Sequence, residues 1–202
     1  MSSKLVGIVG ATGTGKSTSI KHLNPEETYI INVAKKELPF KGSEKLYNVE
    51  KKNYKEVDDA NEISRLLKTI SEKAPHIKNI ILEDSNYVMG FTMLDKATEK
   101  GYEKFSVMAK DTVTMIKTAR QLRDDITVFY FSHPDTIEDG GDIIGYKMKT
   151  SGKLIDNQIN LSCIDNVNDR LFAHRTSSFR VFTNCSALDA VLSKKEGGSI
   201  RC

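Results

Sequence analysis

No stretch of this chain is apolar for long enough to cross a bilayer. A membrane-spanning helix needs about 18 or more such residues in a row, and apolar runs such as Leu5-Val6-Gly7-Ile8-Val9 are strand-sized. That opening run is also too short for a signal peptide and reads as a first strand. Cysteine is scarce. Cys163, Cys185 and Cys202 form no close pair, and an odd count without secretory features points to free thiols in a reducing compartment, hence to the cytoplasm. The four histidines, His22, His76, His133 and His174, are scattered, and no Cys/His cluster has zinc-ligand spacing. Excess charge is lacking too. A net +3 does not advertise a nucleic-acid binder and does not exclude one, because local patches matter more than the sum. Lysines concentrate at 45–55, 147–153 and 194–195, where a solvated surface is the ordinary explanation. No internal repeat and no low-complexity segment is seen.

What is present is globular composition, 39% hydrophobic and 28% charged, in 202 residues. That length fits a single domain over residues 1–202 with a real core. Strands and helices alternate. Lys4–Val9 reads as a strand, Gly15–Leu23 as a helix stopped by Asn24-Pro25, and Thr28–Val33 as a strand rich in β-branched and aromatic residues. Residues 34–56 are polar, broken by Pro39 and Gly42, and read as irregular. Val57–Lys73 carries Ile63, Leu66, Leu67 and Ile70 at helical spacing, and Asn79–Asp84 is a third strand. Helices are expected around 86–99 and 103–124, then a nearly all-apolar strand, Ile126–Phe131. Such strands are buried on both faces, as in a parallel sheet under helices. His133–Gly152, rich in glycine, reads as a long mobile loop. Beyond it, Ile155–Ile164 contains a strand, Arg170–His174 and Phe179–Thr183 form a hairpin, and Lys194–Cys202 is a frayed tail. The expected fold is α/β and three-layered, with a mainly parallel sheet and antiparallel C-terminal strands at one edge.

Gly10-Ala11-Thr12-Gly13-Thr14-Gly15-Lys16-Ser17 matches G-x-x-x-x-G-K-[ST] at every fixed position, with a strand entering and a helix leaving. Glycines let the backbone curl so that successive N–H groups face phosphate oxygens, and the helix N-terminus adds partial positive charge. Gly10 through Thr18 are the expected nucleotide-binding residues. Lys16 is expected on the β- and γ-phosphates and the Ser17 hydroxyl on Mg²⁺. A second magnesium acid should end a buried strand. Strand alternation puts Glu83 and Asp84 on opposite faces, so Asp84 is assigned to the magnesium and Glu83 to polarising the attacking water. Ser132 and His133, closing the fourth strand, are candidates to contact the γ-phosphate. Lys147, Lys149 and Lys153 are candidate DNA or neighbouring-subunit contacts, with Tyr146 and Met148 interleaved for base contact. Tyr87, Phe91 and Tyr102 are candidates for base stacking, although core packing is their ordinary role.

The glycine-rich loop on strand one, the Asp84-Ser85 pair ending an apolar strand and the polar residue closing the next strand together resemble the RecA-type ATPase core. The chain is similar to the short phage-encoded ATP-binding proteins of that RecA-like P-loop class, some of which act in single-strand annealing or recombination. Ile30-Ile31-Asn32-Val33, Leu38-Pro39-Phe40-Lys41-Gly42, Lys149-Thr150-Ser151-Gly152-Lys153-Leu154 and Ser193-Lys194-Lys195-Glu196-Gly197-Gly198 carry that likeness. The resemblance implies ATP and Mg²⁺ binding, with ATP hydrolysis, and assembly into rings or filaments with ATP between subunits. It also implies single-stranded DNA bound by the loops starting at Ser85 and His133, in the host-cell cytoplasm. Lys194 or Lys195 would reach a neighbour's γ-phosphate. The chain departs from the family where RecA has a catalytic glutamate soon after the second strand. The nearest acid here is Glu37, past Lys35 and Lys36, and fast turnover is not expected. Two other readings stand beside this one. A nucleoside or nucleotide kinase would suit the size, although 133–152 contains no arginine for a lid. An assembly protein switched by ATP occupancy would need little hydrolysis.

Overall fold

The computed structural model describes residues 3–150, 174–175 and 180–182. The chain runs β1 (Lys4–Val9), a 3-10 helix (Ser17–His22), β2 (Thr28–Asn32), α1 (Ser43–Leu46), β3 (Tyr54–Glu56), α2 (Ala60–Lys73), β4 (Asn79–Glu83), α3 (Tyr87–Asp95), α4 (Glu103–Arg120) and β5 (Thr127–Ser132). It continues through β6 (Pro134–Asp139), β7 (Asp142–Met148), β8 (His174–Arg175) and β9 (Arg180–Phe182). The main sheet has the order β3-β2-β4-β5-β1-β9-β8. Its first five members, β3 to β1, are all parallel, which makes the fold α/β.

Period-two burial divides the sheet residues between its faces. Leu5 and Val9 of β1, Ile80 and Leu82 of β4 and Val128 and Tyr130 of β5 pack with Ile63, Leu67 and Ile70 of α2 and Met115 and Ile116 of α4. Val6 and Ile8, Ile81, and Phe129 and Phe131 point the other way, onto Ile20 and Leu23 around the 3-10 helix and onto Tyr47. Each such fully buried aliphatic or aromatic side chain stabilises the fold by about 1.5–3 kcal/mol relative to exposure.

Several sequence expectations change. The helix after the glycine-rich loop is a short 3-10 helix, Ser17–His22, and not a longer helix from Gly15. Residues 34–56 are not wholly irregular, since α1 and β3 lie within them. The segment 133–152 is not a loop over its described length. β6 and β7 form an antiparallel hairpin whose turn uses Gly140 and Gly141, both at positive φ (60° and 93°). A two-residue turn of this kind needs left-handed residues, which glycine supplies at no steric cost. At the far edge, β9 joins β1 in parallel, and only β8 runs antiparallel. The strand expected at 155–164 and the tail lie outside the described residues. No helix among the described residues is long and apolar enough to cross a membrane.

Candidate functional site

Because the central strands are parallel, the C-terminal ends of β1, β2, β4 and β5 fall along one edge of the sheet. Chains leaving those ends enclose a cavity of about 310 Å³ lined by Thr12, Gly13, Gly15, Lys16, Ser17, Thr18, Asn32, Lys36, Glu37, Leu38, Pro39, Glu83, Asp84, Tyr87 and His133.

The loop after β1 is shaped by its glycines. Gly13 and Gly15 sit at φ +82° and +88°. A Cβ on Gly10 would lie 2.7 Å from Thr14 Oγ1, closer than real contacts allow. The Thr14 hydroxyl is itself tied to Ala11 O at 2.8 Å. The Gly10 N–H donates to Ser132 O at 3.2 Å, which links the loop to the end of β5. Lys16 is buried, and its ammonium donates to Gly10 O (2.6 Å) and Ala11 O (3.0 Å). Burial lowers its pKa, against the raising pull of Glu83 and Asp84.

The Ser17 hydroxyl donates to Glu83 Oε1, not to Asp84. Glu83 is in phase with Ile81, whose face of the sheet carries Ile20 and Leu23, so β4 delivers its carboxylate beneath the loop. Its Oε2 is buried with no partner. Burial pushes the carboxyl up to about 7, with Asp84 adding to the rise and the Ser17 hydrogen bond and Lys16 opposing it. Alternation put Glu83 and Asp84 on opposite faces of the strand, yet both line the cavity. β4 ends at Glu83, and Asp84 turns left-handed at φ 54°. Its carboxylate faces Lys36 Nζ at 3.5 Å and His133 Nε2 at 3.4 Å. The next residue, Ser85, is tied to β5 by its N–H (2.9 Å) and hydroxyl (2.6 Å), both to Phe131 O. This locks the turn.

His133 lines the cavity, and its N–H donates to Asn86 Oδ1 at 3.2 Å. Burial and then Lys16 lower its pKa against the pull of Asp84, which favours a neutral imidazole. Ser132 is turned away from this role, with its hydroxyl on His133 O at 3.2 Å. Tyr87 lines the cavity, stacks on Phe91 (5.9 Å between centroids) and meets His133 edge-on. Tyr102, by contrast, is 88% exposed and is not core.

Of the expected polymer-contact lysines, Lys147 and Lys149 fall within the described residues. Lys147 lies on β7 opposite Asp135. Lys149 is exposed just past β7, and its N–H donates to His133 O at 2.9 Å. Met148 is buried in the core and unavailable to a base. Lys153, Lys194 and Lys195 lie outside the described residues.

Sequence reasoning missed Asn32 and Lys36. Asn32 is fully buried at the end of β2 and donates to Lys36 O (2.6 Å) and Tyr54 Oη (2.7 Å). The available signal was its phase. Asn32 alternates with Ile30 as Glu83 does with Ile81, so both are polar residues closing the same apolar face.

The residues present suit an anion beside a hard divalent cation. A buried lysine, a hydroxyl and a buried carboxylate with one unpartnered oxygen meet in one cavity. Among the described residues, no group of three or more His, Cys, Asp or Glu is arranged for a metal ion. A cation here would therefore rely on Ser17, Glu83 and its ligand's own oxygens, as magnesium sites commonly do. Comparison with protein-family models gives no match, and comparison with curated proteins gives none either.

Proposed function

We propose that the protein binds and hydrolyses ATP with Mg²⁺ at the Gly10–Ser17 loop, as a RecA-like P-loop ATPase acting on single-stranded DNA. One observation carries the nucleotide reading. The sequence motif falls between a parallel strand and a helix, and its Ser17 hydroxyl meets a buried carboxylate from a second strand end. Phosphates would be held by the loop's N–H groups and by Lys16, released from its two carbonyls. Ser17 and Glu83 would be the oxygen donors for Mg²⁺, which would neutralise charge on the phosphates. Glu83 must then be ionised, and Ser17 would exchange its hydrogen bond for the cation. Asp84, 3.4 Å from a His133 held neutral, would orient a water for attack on the terminal phosphate. This exchanges the roles expected of the two acids from alternation alone.

The DNA half rests on the resemblance and on one structural feature. The lysine-bearing end of the β6–β7 hairpin is tied through Lys149 N–H to His133 O, so a polymer held by the hairpin would act on a residue of the cavity. Residues 133–152 contain no arginine to serve as a lid, which disfavours the kinase alternative.

Steady-state ATP hydrolysis with and without single-stranded DNA, in wild type and Lys16→Ala, tests the reading. It predicts hydrolysis that DNA stimulates and that Lys16→Ala abolishes. Hydrolysis indifferent to DNA would remove the DNA half, and hydrolysis unaffected by Lys16→Ala would remove the site.

A further inference from the structure

We infer that Lys36 is a second phosphate-facing cation of this site, supplied within the same chain, and that it makes the site prefer nucleoside triphosphate over diphosphate. The inference rests on the ATP-binding reading and names the group that reads the terminal phosphate.

Lys36 approaches from the β2 side, across β4 and β5 from the glycine-rich loop, and lines the same cavity. Its backbone is fixed while its head is only loosely held. Lys35 turns left-handed at φ 55° and is anchored to Asp58 at 2.6 Å. Asn32 gives one of its amide hydrogens to Lys36 O at 2.6 Å, and the Tyr54 hydroxyl holds the other. A buried amide thus spends its donors on positioning this turn. The ammonium, in contrast, has only a 3.5 Å approach to Asp84 and lies 5.0 Å over the Tyr87 ring, with the side chain 64% exposed. A half-solvated pair at that distance is worth little. A phosphate is a stronger acceptor for the same ammonium. Lys16 belongs to the loop and serves any nucleotide phosphate chain. Lys36 is separate from the loop and sits with Asp84 and His133, where the far end of the chain would lie. A lysine there favours the longer, more highly charged nucleotide, and its departure from Asp84 frees that carboxylate.

The test is the ratio of ATP to ADP dissociation constants, measured calorimetrically with Mg²⁺ for wild type, Lys36→Met and Lys36→Arg. Removing one charge-assisted contact predicts about tenfold weaker ATP binding in Lys36→Met, with ADP changed less than about twofold. Lys36→Arg should recover most of the ratio. An unchanged ratio in Lys36→Met, or equal loss for both nucleotides, overturns the inference and leaves the ATP-binding reading standing. If wild type binds neither nucleotide, that reading falls and this one with it.

Discussion

At the residue scale, Gly10 and Glu83 carry the sharpest consequences. A methyl group on Gly10 collides with the Thr14 hydroxyl, which is already committed to Ala11 O. Gly10→Ala should therefore weaken ATP binding by about tenfold or more, a loss of at least about 1.4 kcal/mol. Adding Thr14→Ala removes the colliding oxygen, and the double variant should bind more tightly than the single one in the same titration. Glu83 makes stability pH-dependent. Burial lifts its carboxyl from the ordinary 4.5 to about 7, so between those values the folded chain keeps a proton that the unfolded chain has lost. The stability this proton confers is fully present at the acid end and is lost as pH rises through about 7. Comparing Tm at about pH 5 and about pH 8 without nucleotide, wild type should lose more than Glu83→Gln, and equal losses would refute the assignment. His133, whose pKa is lowered, contributes with the opposite sign but is present in both chains, so the comparison with Glu83→Gln isolates the carboxyl.

At the scale of elements, the regular pieces were legible because their patterns are local. β1, β2, β4 and β5 fall within a residue or two of their expected bounds. α2 begins at Ala60 because Asp59 accepts from Glu62 N at 2.7 Å. What local pattern could not show was long-range pairing. The β6–β7 hairpin looked like a loop because Gly140, Gly141 and Gly145 interrupt it, yet two of those glycines make the turn. Nor could it show the role of Arg123, whose guanidinium donates to Ser71 O (2.6 Å), Ala74 O (3.3 Å), Pro75 O (3.4 Å) and Ile77 O (2.8 Å), closing α2 and the turn into β4. Arg123→Ala should cost about 1–3 kcal/mol in urea unfolding, because carbonyls at a helix end lose their donor. Arg123→Lys should recover only part of this, since one ammonium cannot span the fork. A cost near zero would contradict the account.

At the scale of the whole molecule, the sequence gives alternation but not strand order, and the order builds the site. β5 lies between β1 and β4, so His133 arrives between the glycine-rich loop and the two acids. The motif residues were legible from spacing alone. The partnership of Ser17 with Glu83 was not, because it depends on where β4 stops and on the left-handed turn at Asp84. Since the cavity is lined from four strand ends, a nucleotide bound there should stabilise the sheet as a unit. At 100 times its Kd, Mg²⁺·ATP should add about 2.7 kcal/mol, raising Tm by roughly 5–10 °C in scanning calorimetry. Gly10–Ser17 and Glu83 are proposed to hold a magnesium-bound nucleotide together. A calorimetric titration of ATP into the wild-type chain, with and without Mg²⁺, tests this proposal most directly. Saturable one-site binding is expected, tightening about tenfold or more when Mg²⁺ is added and lost in Lys16→Ala. Binding that ignores Mg²⁺, or that survives Lys16→Ala undiminished, would contradict it.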